Sequence, residues 1–132
     1  MSLTLNQDYE FNTTVQKLWS ALTESDKLAK WTMKNDFKPV VGHQFLFTTE
    51  PSEYWDGIVK GEVLAVEPPN LLSYTWGSGD EIHTVVWTLQ DKGGGKVNLH
   101  LEQSGISSQQ ALNGAKYGWQ GWIEELVKML AE

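Results

Sequence analysis

Between Leu3 and Phe11 apolar and polar residues alternate. Leu3, Leu5, Tyr9 and Phe11 share one face, and Thr4, Asn6, Asp8 and Glu10 the other. A period of two with polar partners predicts a half-buried strand. The period then lengthens. Val15, Leu18, Trp19 and Leu22 make a helical stripe. Thr13 and Gln16 have capping-box spacing, so a helix is predicted to begin near Thr14. Thr23 followed by Asp26 is a second start signal, for a short helix carrying Leu28 and Trp31 inward.

After a turn from Phe37 to Gly42, marked by Pro39 and Gly42, period two returns. His43 to Thr49 reads as a strand with Phe45 and Phe47 on one face. Pro51 to Glu53 is a turn, and Tyr54 to Glu67 a long strand. Its polar face holds Asp56, Lys60 and Glu62; the opposite face holds Trp55, Gly57, Val59, Gly61, Val63 and Ala65. Glycine within a strand marks a bend or a close approach, so this face is predicted to curve, to leave room for a ligand, or both. Pro68-Pro69-Asn70 ends it. Leu71 to Trp76 follows, with Leu72, Tyr74 and Trp76 together. The connection Gly77 to Asp80 leads to a strand from Glu81 to Gln90, with His83, Val85, Trp87 and Leu89 on one side. A glycine loop over Asp91 to Gly95 precedes Lys96 to Gln103, where Val97, Leu99 and Leu101 face in. Ser104-Gly105 is predicted to break that strand.

From about Ser108 to Leu130 the pattern becomes helical. Leu112, Ala115, Trp119, Trp122, Ile123, Leu126 and Leu130 form a stripe of the kind that docks on a sheet. Gly114, Gly118 and Gly121 lie at its edge. Each costs roughly 1 kcal/mol against alanine in a helix. Close approach to the sheet is the favoured reason, ahead of clearance at a pocket mouth. Strands in a run, with helices outside them, define an α+β domain. No repeat or linker divides the 132 residues, which are expected to form one domain.

Composition narrows the function classes. The chain has no cysteine, which excludes disulfides, thiolate metal sites and a thiol nucleophile. Its net charge of −7 comes with scattered lysines, so nucleic acid and anionic membrane surfaces are not expected partners. No apolar run approaches the ~18–20 residues that span a bilayer, and no leader pattern opens the chain. A cytoplasmic, soluble protein is expected, as monomer or homodimer. Seven tryptophans, at positions 19, 31, 55, 76, 87, 119 and 122, are the unusual figure. Such large rings belong inside, either as bulky core or as an aromatic cavity wall.

Candidate chemistry is sparse. There is no phosphate-binding glycine motif, no H-E-x-x-H and no G-x-S-x-G. His100 and Glu102 share an outer strand face without a third metal ligand, and Glu124 and Glu125 read as a solvated helix face. No cofactor or metal is predicted. One polar set stands apart: His83, Gln103 and Tyr74 share faces with apolar residues. They either enter an otherwise apolar cavity or sit near strand ends, reaching water or one another. An enzyme is not the expected class, since an imidazole in a cavity serves as readily to bond a ligand as to move a proton. The catalytic alternative, a cyclase or hydrolase, would use His83, Tyr74 or both.

Several segments together resemble a known family. These are Val15 to Thr23 and Leu28-Ala29-Lys30-Trp31, then Phe37 to Gly42 with Phe45 and Phe47, and Trp55-Asp56-Gly57 with Gly61-Glu62-Val63. Glu67 to Trp76, Val85 to Leu89, Ser104-Gly105-Ile106, and Gly121-Trp122 with Leu126 and Leu130 follow. In order and spacing they are similar to proteins related to the activator of heat-shock-protein-90 ATPase. The resemblance implies the SRPBCC superfamily and its START-like, helix-grip fold. In that fold a curved antiparallel sheet, here of about six or seven strands, wraps a long C-terminal helix, with two short helices after the first strand. Relatives bind lipids, sterols, polyketides or plant hormones between sheet and helix; some are cyclases, aromatases or oxygenase subunits. Fold alone does not choose among these. The eukaryotic activator carries an added N-terminal domain that contributes to chaperone binding, whereas this chain opens at its first strand, so chaperone activation is not the expected role. No catalytic residue carries over.

The leading expectation is non-enzymatic binding of a small apolar or aromatic molecule. Its cavity would be lined by Phe45, Phe47, Trp55, Tyr74, Trp76, His83, Trp87, Gln103, Trp119 and Trp122. A protein-interaction module, a chaperone regulator or stress-response partner, is the second expectation. It predicts an exposed apolar patch outside the cavity.

Overall fold

A computed structural model describes residues 2–53 and 56–131. Strand β1 (Leu3–Asn12) leads into helices α1 (Val15–Thr23) and α2 (Ser25–Trp31). Strands β2 (Lys34–Asn35), β3 (Gln44–Thr48), β4 (Ile58–Glu67), β5 (Leu71–Ser78), β6 (Glu81–Gly93) and β7 (Lys96–Ile106) follow, and helix α3 (Gln109–Leu130) closes the order. The strands form one antiparallel sheet in the order β1-β7-β6-β5-β4-β3-β2. Hairpins join β4 to β7 in sequence. The first strand then closes on the last, with Tyr9 opposite Leu99 and Phe11 opposite Val97. This is the α+β helix-grip arrangement: seven strands curved around one long helix, with two short helices after the first strand.

Alternation decides what each strand buries. Val85, Trp87 and Leu89 of β6 and Val97, Leu99, Leu101 and Gln103 of β7 all point to the helix side and are buried. From α3, Trp119, Ile123 and Leu126 meet them. Leu18, Ala21 and Leu22 of α1 and Leu28 and Trp31 of α2 complete the core. Trp31 is locked there by its indole N–H, which donates to the Ala21 carbonyl at 2.9 Å. Trp19 is only half-buried.

Several sequence expectations shift in detail. The cap of α1 is Thr14, whose hydroxyl accepts the Lys17 N–H at 3.2 Å, and not Thr13. Thr23 caps nothing: it is the last residue of α1 and its hydroxyl donates back to the Trp19 carbonyl. Glu24 takes the cap position of α2 without a side-chain bond. Strand β4 begins at Ile58; the predicted start at Tyr54 and Trp55 lies outside the described residues. Strand β7 does not break at Gly105. The backbone passes through a left-handed conformation there (φ +83°) and continues to Ile106, which pairs with Leu3. The space above Gly61 is not free for a ligand, because the Phe45 ring from the paired strand fills it.

The helix glycines overturn their favoured reading. A Cβ built at Gly114, Gly118 or Gly121 would meet nothing within 4 Å, so none allows a close approach to the sheet. Gly114 and Gly121 simply forgo helix stability at the surface. Gly114→Ala and Gly121→Ala are therefore each expected to raise unfolding free energy by about 0.5–1 kcal/mol. Thermal or urea unfolding measures this, and a loss of stability at either site would contradict the open geometry.

Candidate functional site

The space between sheet and α3 is mostly occupied by rings. Phe37, Phe45, Phe47, Tyr74, Trp76, Trp119, Trp122 and Trp87 form a connected chain of edge and tilted contacts. Centroid separations are 5.2 Å for Phe37–Phe45, 5.3 Å for Phe47–Trp76, 5.4 Å for Trp76–Trp119 and 5.2 Å for Trp87–Trp119. T-shaped packing is the favoured geometry for such rings. What remains open is a hollow of about 150 Å³ at one end, lined by Val59, Trp76, Ser78, Gln103, Ala115, Gly118, Trp119 and Trp122. Sheet strands β4, β5 and β7 supply one wall and α3 the other. Gly118 contributes no side chain to the rim, so pocket clearance is the reading that fits this glycine.

A larger depression, about 660 Å³, lies on the outer face of the sheet. It follows the outward row Leu46, Lys60, Gly77 and Ile82 across β3 to β6, with Gly77 as its low point. Charged Asp36, Lys60 and Glu62 line it. It lacks the facing apolar walls of the inner hollow, which is enclosed by rings of β5 and α3.

Of the ten residues expected to line the cavity, Trp76, Gln103, Trp119 and Trp122 surround the hollow. Phe45, Phe47, Tyr74 and Trp87 are packed in the core and do not line it. His83 sits behind Gln103, and Trp55 lies outside the described residues. Sequence reasoning missed Val59, Ser78, Ala115 and Gly118 as lining residues and Phe37 as part of the ring chain. Val59 had a signal in its inward strand face, Ala115 in the helical stripe and Gly118 at that stripe's edge; Ser78 had none.

The polar set divides in two. The Trp87 indole N–H donates to the Tyr74 hydroxyl at 2.7 Å, deep in the core. Burial pushes the Tyr74 phenol well above the usual tyrosine range, so it stays protonated. His83 belongs to another chain of bonds. Its Nδ1 meets Gln103 Nε2 at 2.6 Å and its Nε2 meets Glu81 Oε1 at 2.8 Å. Gln103 Oε1 accepts the Trp119 indole N–H at 2.6 Å. Bonds from His83 and from the Ser107 N–H and hydroxyl hold the Glu81 carboxyl below its ordinary range. Both ring nitrogens of His83 are thus engaged, and the structure does not join His83 to Tyr74. Among the described residues no group of three His, Asp or Glu could hold a metal. No helix among them is long and apolar enough to cross a membrane.

A sheet gripping a terminal helix around a small aromatic hollow defines the class of helix-grip proteins. Within it, the chain belongs to the family of Activator of Hsp90 ATPase homolog 1-like proteins, whose model matches residues 12–131. Members of this family and of its superfamily commonly bind hydrophobic ligands. A similar solved structure is protein MLL2253 from Mesorhizobium loti, 38% identical, with a TM-score of 0.90 over 98% of this chain and 97% of that one. Protein BH1534 from Bacillus halodurans is 26% identical, with a TM-score of 0.79 over 97% of this chain and 96% of that one. PFC0360w, an HSP90 activator from Plasmodium falciparum, is 18% identical, with a TM-score of 0.81 over 97% of this chain and 96% of that one. That last likeness speaks for the fold alone. No curated protein matches the sequence.

Proposed function

We propose that this protein binds a small, flat apolar or aromatic molecule in the hollow between the sheet and α3, without chemically changing it. The observation that carries the reading is the hollow itself: three tryptophans converge on a space left open at Gly118. Its volume of about 150 Å³ suits one aromatic ring; an apolar cavity of about that size is known to admit benzene. Sterol- or polyketide-sized ligands exceed it. The engaged nitrogens of His83 and the protonated Tyr74 argue against catalysis at this site.

The test is a titration with toluene, followed by the indole N–H resonances of Trp76, Trp119 and Trp122. Saturable shifts are expected, with a dissociation constant on the order of 1 mM or tighter. Gly118→Leu should abolish them by filling the rim. It should leave stability undiminished, since leucine suits a helix better than glycine and the position faces open space. Unchanged tryptophan resonances in the parent protein would sink the proposal.

A protein-interaction role is the second reading. Its support is an exposed apolar group, Val40, Val41 and Leu64, at 58%, 62% and 44% exposure. The Gly42 N–H bonded to the Val63 carbonyl fixes the turn carrying the two valines beside β4. Failure of every small ring to bind would leave this reading as the stronger one.

A further inference from the structure

An indole nitrogen can only donate. The amide atom 2.6 Å from Trp119 Nε1 is therefore the Gln103 oxygen, and this fixes the rest of the chain. Gln103 Nε2, a donor, faces His83 Nδ1 at 2.6 Å, so Nδ1 carries no proton. The imidazole proton then sits on Nε2 and is donated to Glu81 Oε1 at 2.8 Å. Ser107 anchors the far end through its N–H and hydroxyl, at 2.7 and 3.0 Å. Each bond from Trp119 to Glu81 thus donates in one direction, and only the central Gln103–His83 bond can be reversed, since an indole cannot accept and a carboxylate cannot donate.

Trp119 lines the hollow and His83 does not. The carbonyl end of Gln103 therefore lies on the hollow's side, with one lone pair taken by Trp119 and one left over. We propose that Gln103 makes the hollow selective for a single aromatic ring bearing a hydrogen-bond donor, phenol being the simplest. Trp119 holds the amide in this orientation, and His83, itself held by Glu81, is a positioning residue that overturns it only when protonated. The inference rests on the hollow being a ligand site. Ser78, also in the lining, adds a hydroxyl that can serve either as donor or as acceptor and so does not set the preference.

Protonation of His83 exposes the positioning role. An imidazolium has two N–H donors. Nε2–H keeps Glu81, while Nδ1–H would face the Gln103 amino group, donor against donor. A charge-assisted bond is about twice as strong as a neutral one. The amide therefore turns over, gives its oxygen to His83 and presents N–H to the hollow, and Trp119 loses its acceptor. The surroundings favour this response. Trp76 faces His83 from β5 and Gln103 from β7, with Trp119 of α3 behind. None of these is charged. Glu81 is the ionisable side chain bonded to the ring among the described residues, and bonds from His83 and Ser107 hold its carboxyl below the ordinary range.

The experiment compares phenol, anisole and toluene on the full chain at about pH 8 and about pH 5, the range that brackets histidine titration. At the higher pH phenol should bind about threefold to tenfold more tightly than anisole. At the lower pH the preference should be lost, because the oxygen of phenol and that of anisole can each accept the amide N–H. In His83→Ala the preference for phenol should persist at both. The ligand-free protein gives an independent reading, because the Trp119 indole N–H resonance should titrate over the same range and should not in His83→Ala. Equal binding of the three rings would overturn the selectivity while leaving the hollow as a site. Binding of none would overturn both the selectivity and the ligand reading. The Trp119 resonance would still decide the relay, a titrating signal supporting it and a flat one refuting it.

Discussion

Trp87→Ala is expected to lower unfolding free energy by about 3–5 kcal/mol, the range for removing a buried tryptophan. The residue has no solvent exposure. On β6 it sits between Leu72 of β5 and Leu101 of β7, under the edge of Trp119 at a centroid separation of 5.2 Å. Alanine would leave a cavity where these three meet and would strip the Tyr74 hydroxyl of its donor. A smaller change separates the two effects. Trp87→Phe keeps a ring but removes the N–H, and Tyr74→Phe leaves that N–H without an acceptor; the second should cost about 1–3 kcal/mol because the orphaned donor is buried. In the double variant neither orphan exists. Its cost should fall below the sum of the singles, a coupling that a double-mutant cycle in urea reads directly. Strict additivity would mean that the 2.7 Å contact carries no stability.

The same pair shows how far the sequence could be read. Alternation placed Tyr74, His83, Trp87 and Gln103 on faces shared with apolar residues and left open whether the polar ones reach a cavity or one another; in the structure they bond to one another and to Trp119 and Glu81. It could not choose partners. Tyr74 lies opposite Val85, so His83 and Trp87 flank it on either side along β6. Only the register and the reach of an indole decide that its hydroxyl goes to Trp87. The long helix and the main strands were legible because each repeats its period several times. Strand β2, two residues long, has no period to repeat. Phe37 stood alone among turn residues, and nothing local marked it as buried beside Phe45 and Tyr74. Glycines were legible as positions and not as reasons. The absence of a side chain leaves open whether a neighbour needs the space, as at Gly61, or nothing does, as at Gly114. The hollow was least legible of all, because its size is what eight interlocking rings happen to leave unfilled.

Gly61→Ala is expected to be destabilising by about 1–3 kcal/mol, as overpacking of a filled interior is. The direction is opposite to that at Gly114 and Gly121 for the same chemical change. At Gly61 an added methyl would collide with the Thr75 carbonyl oxygen of β5 and with the Phe45 ring of β3. These two neighbours differ in what they can give. Phe45 is a side chain, and Phe45→Leu would remove most of the second collision. The Thr75 carbonyl is backbone in a strand paired on both sides, where the Thr75 hydroxyl also accepts the Glu62 N–H at 2.9 Å. It can move only by shifting β5. The double variant Gly61→Ala with Phe45→Leu should therefore recover only part of the loss, after allowance for what Phe45→Leu costs alone. Complete recovery in chemical denaturation would place the whole conflict on the ring and would show that the β4–β5 pairing tolerates a side chain at this point. Because Trp76 projects from β5 one residue beyond Thr75, a displaced strand also moves a wall of the hollow. Whatever stability is left, Gly61→Ala should then weaken toluene binding, whereas Gly114→Ala, far less constrained, should not.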